Sequence, residues 1–164
     1  MKKPLLPALV LLLALVAGIG YQSLLIHPQS LPEELFLTFT DGTRKQVREL
    51  RGQPLMLAFW SVNCPVCLQD IPKIAELNRL VGPLDIRVIA VNIPQDPPPA
   101  IMATVRRFQP TYPTALDVQG EIARAVGGVD ATPLTLFVDR QGRIVRRAYG
   151  ELDLGEAKST LEAL

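Results

Sequence analysis

A continuous apolar run, Pro54–Trp60 (PLMLAFW), ends just before Cys64-Pro65-Val66-Cys67, and those two cysteines are the only ones in the chain. A run with no polar break suits a strand buried on both faces, so the sheet that holds it must be covered on both sides. From Cys67 to Leu80 the apolar residues Ile71, Ile74, Leu77 and Leu80 then follow helical spacing. The cysteines therefore sit where a buried strand turns into a helix. Two cysteines cannot build a disulfide framework. Four-ligand zinc lacks donors, because His27 is the only histidine. A permanent clip closing so short a loop restricts the unfolded chain little. A metal half-site would need a second copy of the chain. A redox pair is the expected reading.

The rest of the chain after residue 32 alternates strands with helices. Leu35–Thr40 alternates in polarity and meets a turn signal at Asp41-Gly42, which leads into a strand over Arg44–Leu50. Ile86–Val91 is a second buried strand, Pro94–Pro99 a proline-rich connection, Ile101–Phe108 a helix and Thr114–Asp117 a short strand. Glu121–Val126 is a helix stopped by Gly127-Gly128. Pro133–Val138 and Ile144–Tyr149 form strands around a turn at Asp139–Gly142, and Leu154–Leu164 closes the chain as an amphipathic helix. This order predicts an α/β fold with a mixed sheet.

The N-terminus stands apart. Lys2 and Lys3 precede a stretch without charge from Pro4 to Ile26, centred on LVLLLALV at residues 9–16. A basic start before an apolar core is an export signal. As a helix the stretch would run roughly 34 Å, enough to cross a bilayer. Val16-Ala17-Gly18 offers a tolerable cleavage site, so a cleaved signal is the alternative to an anchor. We expect an anchor over residues 1–27, a linker from about Tyr21 to Pro32, and a folded domain over 28–164. Lys2 and Lys3 would stay in the cytoplasm, with the domain exported across the inner membrane to the periplasmic side. The whole chain has 17 basic and 16 acidic residues. So even a balance excludes a basic nucleic-acid binder.

At the start of a helix, unpaired N–H groups and the dipole favour a negative sulfur. A thiolate at Cys64 is the reactive form, and cysteines so placed have pKa values of roughly 3.5–7.5. Pro65 suits the first helical position, where its missing N–H is not needed. Cys64 would attack a partner disulfide, and the less exposed Cys67 would resolve the mixed disulfide. Pro72 falls inside the helix and removes the hydrogen bond that would reach Leu68.

Phe59-Trp60-Ser61-Val62-Asn63-Cys64-Pro65-Val66-Cys67 resembles the active-site signature of the thioredoxin superfamily. Pro72 matches the kink position of that helix, and Val129-Asp130-Ala131-Thr132-Pro133 resembles the loop carrying its cis-proline. The resemblance implies that Thr132 and Pro133 pack against Cys64 and offer backbone groups to an extended substrate. Within the superfamily, the N-terminal hairpin, the PLTLFVDRQGRIV stretch and the anchor resemble the exported TlpA/ResA-like group. That group includes the cytochrome c maturation thioredoxins and the copper-tolerance-associated disulfide oxidoreductases. The interval from Cys67 to Pro133 has room for an inserted strand and helix. The resemblance covers roughly residues 33–164. It implies a thioredoxin-like fold, protein disulfides or dithiols as substrates and a membrane thiol-reductant as electron donor. The sequence carries no glycine-rich phosphate loop and no haem-attachment motif, since Leu68 follows Cys67, so no cofactor or metal is expected, and with nothing pointing to oligomerisation a monomer is expected.

Two positions depart from the family pattern. Asn63 stands where an aromatic is usual beside the first cysteine, and Ala58 where ordinary thioredoxins bury an aspartate behind the second. Asp70, three residues after Cys67, is the substitute acid: it lies near the same helix face, and relatives carry an acid there. A partly desolvated carboxylate at that place would take a proton from Cys67. The alternative is a solvated helix residue. Trp60 would shield the dithiol and shape the docking surface, or simply pack the strand end. Ser61, three before Cys64, raises a peroxidase alternative, but that chemistry wants a proline where Leu57 stands. Pro65-Val66 supplies no side-chain donor to a Cys64 thiolate. The expected potential lies between roughly −270 and −120 mV, away from the oxidising end. A reductant is expected, with apocytochrome c among its substrates; the alternatives are a disulfide oxidase or isomerase, and a non-catalytic binding module.

Overall fold

The computed structural model describes residues 29–164. The anchor expected over residues 1–27 lies outside them, and no helix among the described residues is long and apolar enough to cross a membrane.

Seven strands form one mixed sheet: β1 (Phe36–Phe39), β2 (Arg44–Gln46), β3 (Leu55–Trp60), β4 (Arg87–Asn92), β5 (Thr114–Leu116), β6 (Leu134–Val138) and β7 (Ile144–Tyr149), in the order β2-β1-β5-β4-β3-β6-β7. The helices are α1 (Pro65–Val81), α2 (Pro98–Phe108), α3 (Glu121–Ala125) and α4 (Leu154–Glu162). β3 and β4 run parallel, joined through α1, and β4 and β5 run parallel, joined through α2. β6 is antiparallel to β3, and β7 to β6. The N-terminal hairpin is present, with Thr38 opposite Arg44 across the Asp41-Gly42 turn. Gly42 takes φ +86°, which a side chain would strain.

β3 is buried along its whole length because it is central. Its side chains alternate between two cores. Leu55, Leu57 and Phe59 join Leu37, Ile89, Ile122 and Leu136 on one face. Met56, Ala58 and Trp60 join Cys67, Ile74, Leu77, Ile101 and Leu161 on the other, where α1 packs against α4. Burial on both faces is why this strand reads as an unbroken apolar run.

Four local expectations need correction. Only Arg44–Gln46 of the second hairpin arm is strand. Val47–Leu50 turns into a 3-10 helix, because Glu49 accepts the Gln46 N–H at 2.7 Å and turns the backbone inwards. α2 starts at Pro98, earlier than Ile101, since prolines in a first helical turn lose no hydrogen bond. β5 stops at Leu116, and the Asp117 carboxylate instead accepts the N–H groups of Ile122 and Ala123 at 3.0 and 2.8 Å. Finally, the linker expected up to Pro32 is structured from Gln29 to Leu31. Leu31 donates its N–H to Gly142, Gln29 accepts that of Ile144, and the Leu31 side chain is buried in the core.

Candidate active site

β3 carries its last buried residue, Trp60, to the edge of the sheet, where Ser61–Asn63 turn the chain into α1. Cys64 is the N-cap of α1. Its backbone is extended, and its Sγ accepts the Cys67 N–H at 3.1 Å. Pro65 follows at the first helical position, as its fixed φ and missing N–H require. Cys64 and Cys67 are joined as a disulfide, with their Cα atoms 5.2 Å apart. Cys64 is half-buried, whereas Cys67 is only 3% exposed. One sulfur therefore lies towards the surface and the other is sheltered behind it.

The loop before β6 closes over the first sulfur. The Thr132–Pro133 peptide is cis, and the Thr132 carbonyl oxygen lies 3.6 Å from Cys64 Sγ. Gly150, just after β7, donates its N–H to the Pro133 carbonyl at 3.0 Å and fixes that loop to the sheet. Pro65 and Val66 are exposed beside Cys64, as is Asn63. Trp60 packs in the core with Cys67, Ala58 and Tyr112. A narrow cavity of about 20 Å³ lies there, lined by Trp60, Cys67, Ile71, Phe108 and Tyr112 among others. Ala58 thus gives the second sulfur an apolar neighbour where an aspartate is usual.

Asp70 lies one turn beyond Cys67 on the buried face of α1 and is 2% exposed, so it is not a solvated residue. One carboxylate oxygen accepts Lys73 Nζ at 2.9 Å, and the other accepts the Leu152 N–H at 2.9 Å. Lys73 also pairs with Glu151, and the Glu151 and Asp70 carboxylates hold its ammonium above the ordinary lysine value. Asp70 thereby stitches α1 to the segment before α4. Burial, with the Asp70 charge adding to it, pushes the Tyr112 hydroxyl well above its ordinary value.

A second buried acid was not legible as a site residue. Asp96 lies in the proline-rich connection after β4 and is 4% exposed. Its carboxylate accepts Ser61 Oγ–H at 2.8 Å, the Val62 N–H at 2.8 Å and Asn92 Nδ2 at 3.1 Å. Ser61 Oγ in turn accepts the Asn63 N–H at 3.2 Å, and the Ser61 carbonyl accepts the Cys64 N–H at 3.2 Å. Asp96 therefore ties the connection after β4 to the Ser61–Asn63 turn that precedes Cys64. The one signal in the sequence was Asn92, a polar residue directly after the apolar run Val88–Val91.

The Redoxin family model matches residues 28–164. The chain belongs to the Redoxin family. Thiol-disulfide oxidoreductase ResA of Geobacillus thermodenitrificans (strain NG80-2) is 26% identical over 94% of this chain and 92% of its own. The Bacillus subtilis (strain 168) ResA is 23% identical over 87% of this chain and 83% of its own. A thioredoxin family thiol:disulfide interchange protein from Chlorobium tepidum TLS has the same fold, with a TM-score of 0.73, 17% identity, and coverage of 84% of this chain and 96% of that one. This Redoxin has the expected thioredoxin-like α/β fold, and a helix and a strand, α2 and β5, lie between β4 and α3. It is a protein disulfide oxidoreductase whose CxxC pair is Cys64–Cys67.

Proposed function

We propose that this Redoxin is a reductant of disulfides in exported proteins, held at the inner membrane by residues 1–27 with its 28–164 domain on the periplasmic side. Cys64 is the attacking sulfur. Its thiolate displaces one sulfur of a substrate disulfide and forms a mixed disulfide. Cys67 then attacks Cys64 Sγ, closes the Cys64–Cys67 bond and frees the second substrate thiol, so two electrons pass to the substrate. Thr132 and Pro133 offer backbone groups to the substrate chain, Pro65 and Val66 form the rim it slides against, and Trp60 supports that rim from below. Asp70 takes the proton of Cys67 as it becomes the resolving thiolate.

One observation carries the reducing direction. Cys64 Sγ receives the N–H of Cys67, and Pro65 and Val66 bring no side-chain donor to it. The strongest oxidants stabilise their reduced form heavily, and that device is missing here. Electrons would return from a membrane thiol-reductant, and apocytochrome c disulfides are the substrate class that the resemblance suggests. The domain would act as a monomer without cofactor or metal.

The decisive experiment is equilibration with glutathione redox buffers, joined to an insulin reduction assay. A potential on the reducing side of roughly −200 mV, with turnover lost in Cys64→Ser, supports the proposal. A potential near −120 mV overturns it in favour of an oxidase or isomerase. No turnover in the wild type would leave a binding module.

A further inference from the structure

The redox turn is held from behind by a carboxylate that no cation balances. Asp96 forms no ion pair among the described residues, whereas its two oxygens collect a hydroxyl, a backbone amide and a side-chain amide. Its partners Ser61 and Val62 lie 35 and 34 residues away in the chain, so the contact joins the connection after β4 to the turn after β3. Ser61 Oγ accepts from Asn63, so its own hydrogen is free to point at Asp96. The consequence for the dithiol is directional. The amides of Val62 and Asn63 point their hydrogens at Asp96 and Ser61, so neither is available to the Cys64 sulfur. The amide that does reach Cys64 is that of Cys67, from the helix itself. Behind the same turn sits a negative charge in a poorly hydrated place, which acts against a second negative charge on Cys64.

We propose that Asp96 is a positioning residue of the redox centre, which fixes the Ser61–Cys64 turn and, by its unbalanced charge, holds the pair towards the reducing end. This deepens the reducing reading above and rests on it. In the balanced exchange, the dithiol and glutathione disulfide give the Cys64–Cys67 disulfide and two glutathione thiols. Two electrons and two protons leave the protein. Whatever stabilises the Cys64 thiolate favours the left-hand side and makes the protein more oxidising.

The test is the equilibrium constant with glutathione for the full chain and for Asp96→Asn, which removes the charge but retains an amide oxygen as acceptor. We expect the constant to move at least tenfold towards the dithiol, equivalent to about 30 mV less reducing. Alkylation of Cys64 should also reach its half-maximal rate at a lower pH. The other titratable groups around the pair, Asp70, Lys73, Glu151 and Tyr112, are the same in both proteins. A folded Asp96→Asn whose constant stays within threefold of wild type, or moves the other way, overturns the inference. Should Asp96→Asn fail to fold, Ser61→Ala decides. It frees the Asn63 amide towards Cys64 and is expected to shift the constant at least threefold in the same direction; no shift overturns the inference. The wild-type potential by itself tests the reducing reading. A wild-type potential at the oxidising end with a tenfold variant shift would sink that reading and keep the role of Asp96.

Discussion

Asp70 and Asp96 are both buried beside the redox pair, but they are held in different ways. Asp70 lies on α1 itself and pairs with the Lys73 ammonium and the Leu152 amide. Asp96 reaches in from a connection and meets only neutral donors. A buried carboxylate with a cation beside it has its charge balanced locally, so what it gives the fold is mainly geometry. One with only hydrogen-bond dipoles around it keeps a field that extends beyond its contacts. The pair thus has an ion-paired acid on the Cys67 side and, behind the Cys64 turn, one with no ion pair among the described residues.

The largest effect checks that both acids act through one centre. Cys64→Ser should bring insulin reduction to background, and Cys67→Ser should accumulate a mixed disulfide with substrate, visible by non-reducing electrophoresis. Turnover surviving in Cys64→Ser would detach both acids from the chemistry.

Next is the proton role of Asp70. In Asp70→Asn, closure of the Cys64–Cys67 bond at neutral pH should slow by about 100-fold, the lower side of what a positioned acid–base group supplies. An unchanged pH dependence of Cys67 reactivity, followed by stopped-flow fluorescence of Trp60, would leave Asp70 with a purely structural part.

That structural part is measured separately. Asp70→Ala strands the Leu152 N–H and leaves Lys73 without its buried partner. A loss of about 3 kcal/mol in urea unfolding is expected. A loss below about 1 kcal/mol would mean that solvent reaches the site and that the contrast with Asp96 is smaller than the geometry implies.

The smallest effect concerns Tyr112, whose hydroxyl is raised by burial and by Asp70. The folded protein keeps this proton above pH 10, where the unfolded chain releases it. The unfolded state then binds fewer protons, so stability is fully present below about pH 10 and falls as pH rises. By pH 11 the wild type should have lost about 1.4 kcal/mol that Tyr112→Phe retains, read from urea midpoints at pH 8 and 11. Equal losses in the two proteins would mean that the phenol is not buried against Asp70.

Much of the molecule was legible because its signals are local. Pro54–Trp60 announces a strand covered on both faces, Asp41-Gly42 a hairpin, and Pro65 after Cys64 a helix start; each is a property of neighbouring residues and their backbone preferences. The redox pair belongs to this class, since a four-residue motif between strand and helix carries its own geometry. Asp70 was nameable because it shares a helix with Cys67 at a three-residue step. The rest was decided by tertiary structure. No spacing rule links Asp96 to Ser61, since what joins them is the parallel pairing of β3 with β4, which brings their carboxyl ends together. Gln29–Leu31 became structure because the distant turn at Gly142 gave its amides partners. The Leu152 amide reaches Asp70, and Glu151 reaches Lys73, only because α1 packs against α4. The sequence by itself determined which atoms exchange electrons. The environment that sets their readiness to do so comes from contacts many residues apart, because charge and burial act through space and not along the chain.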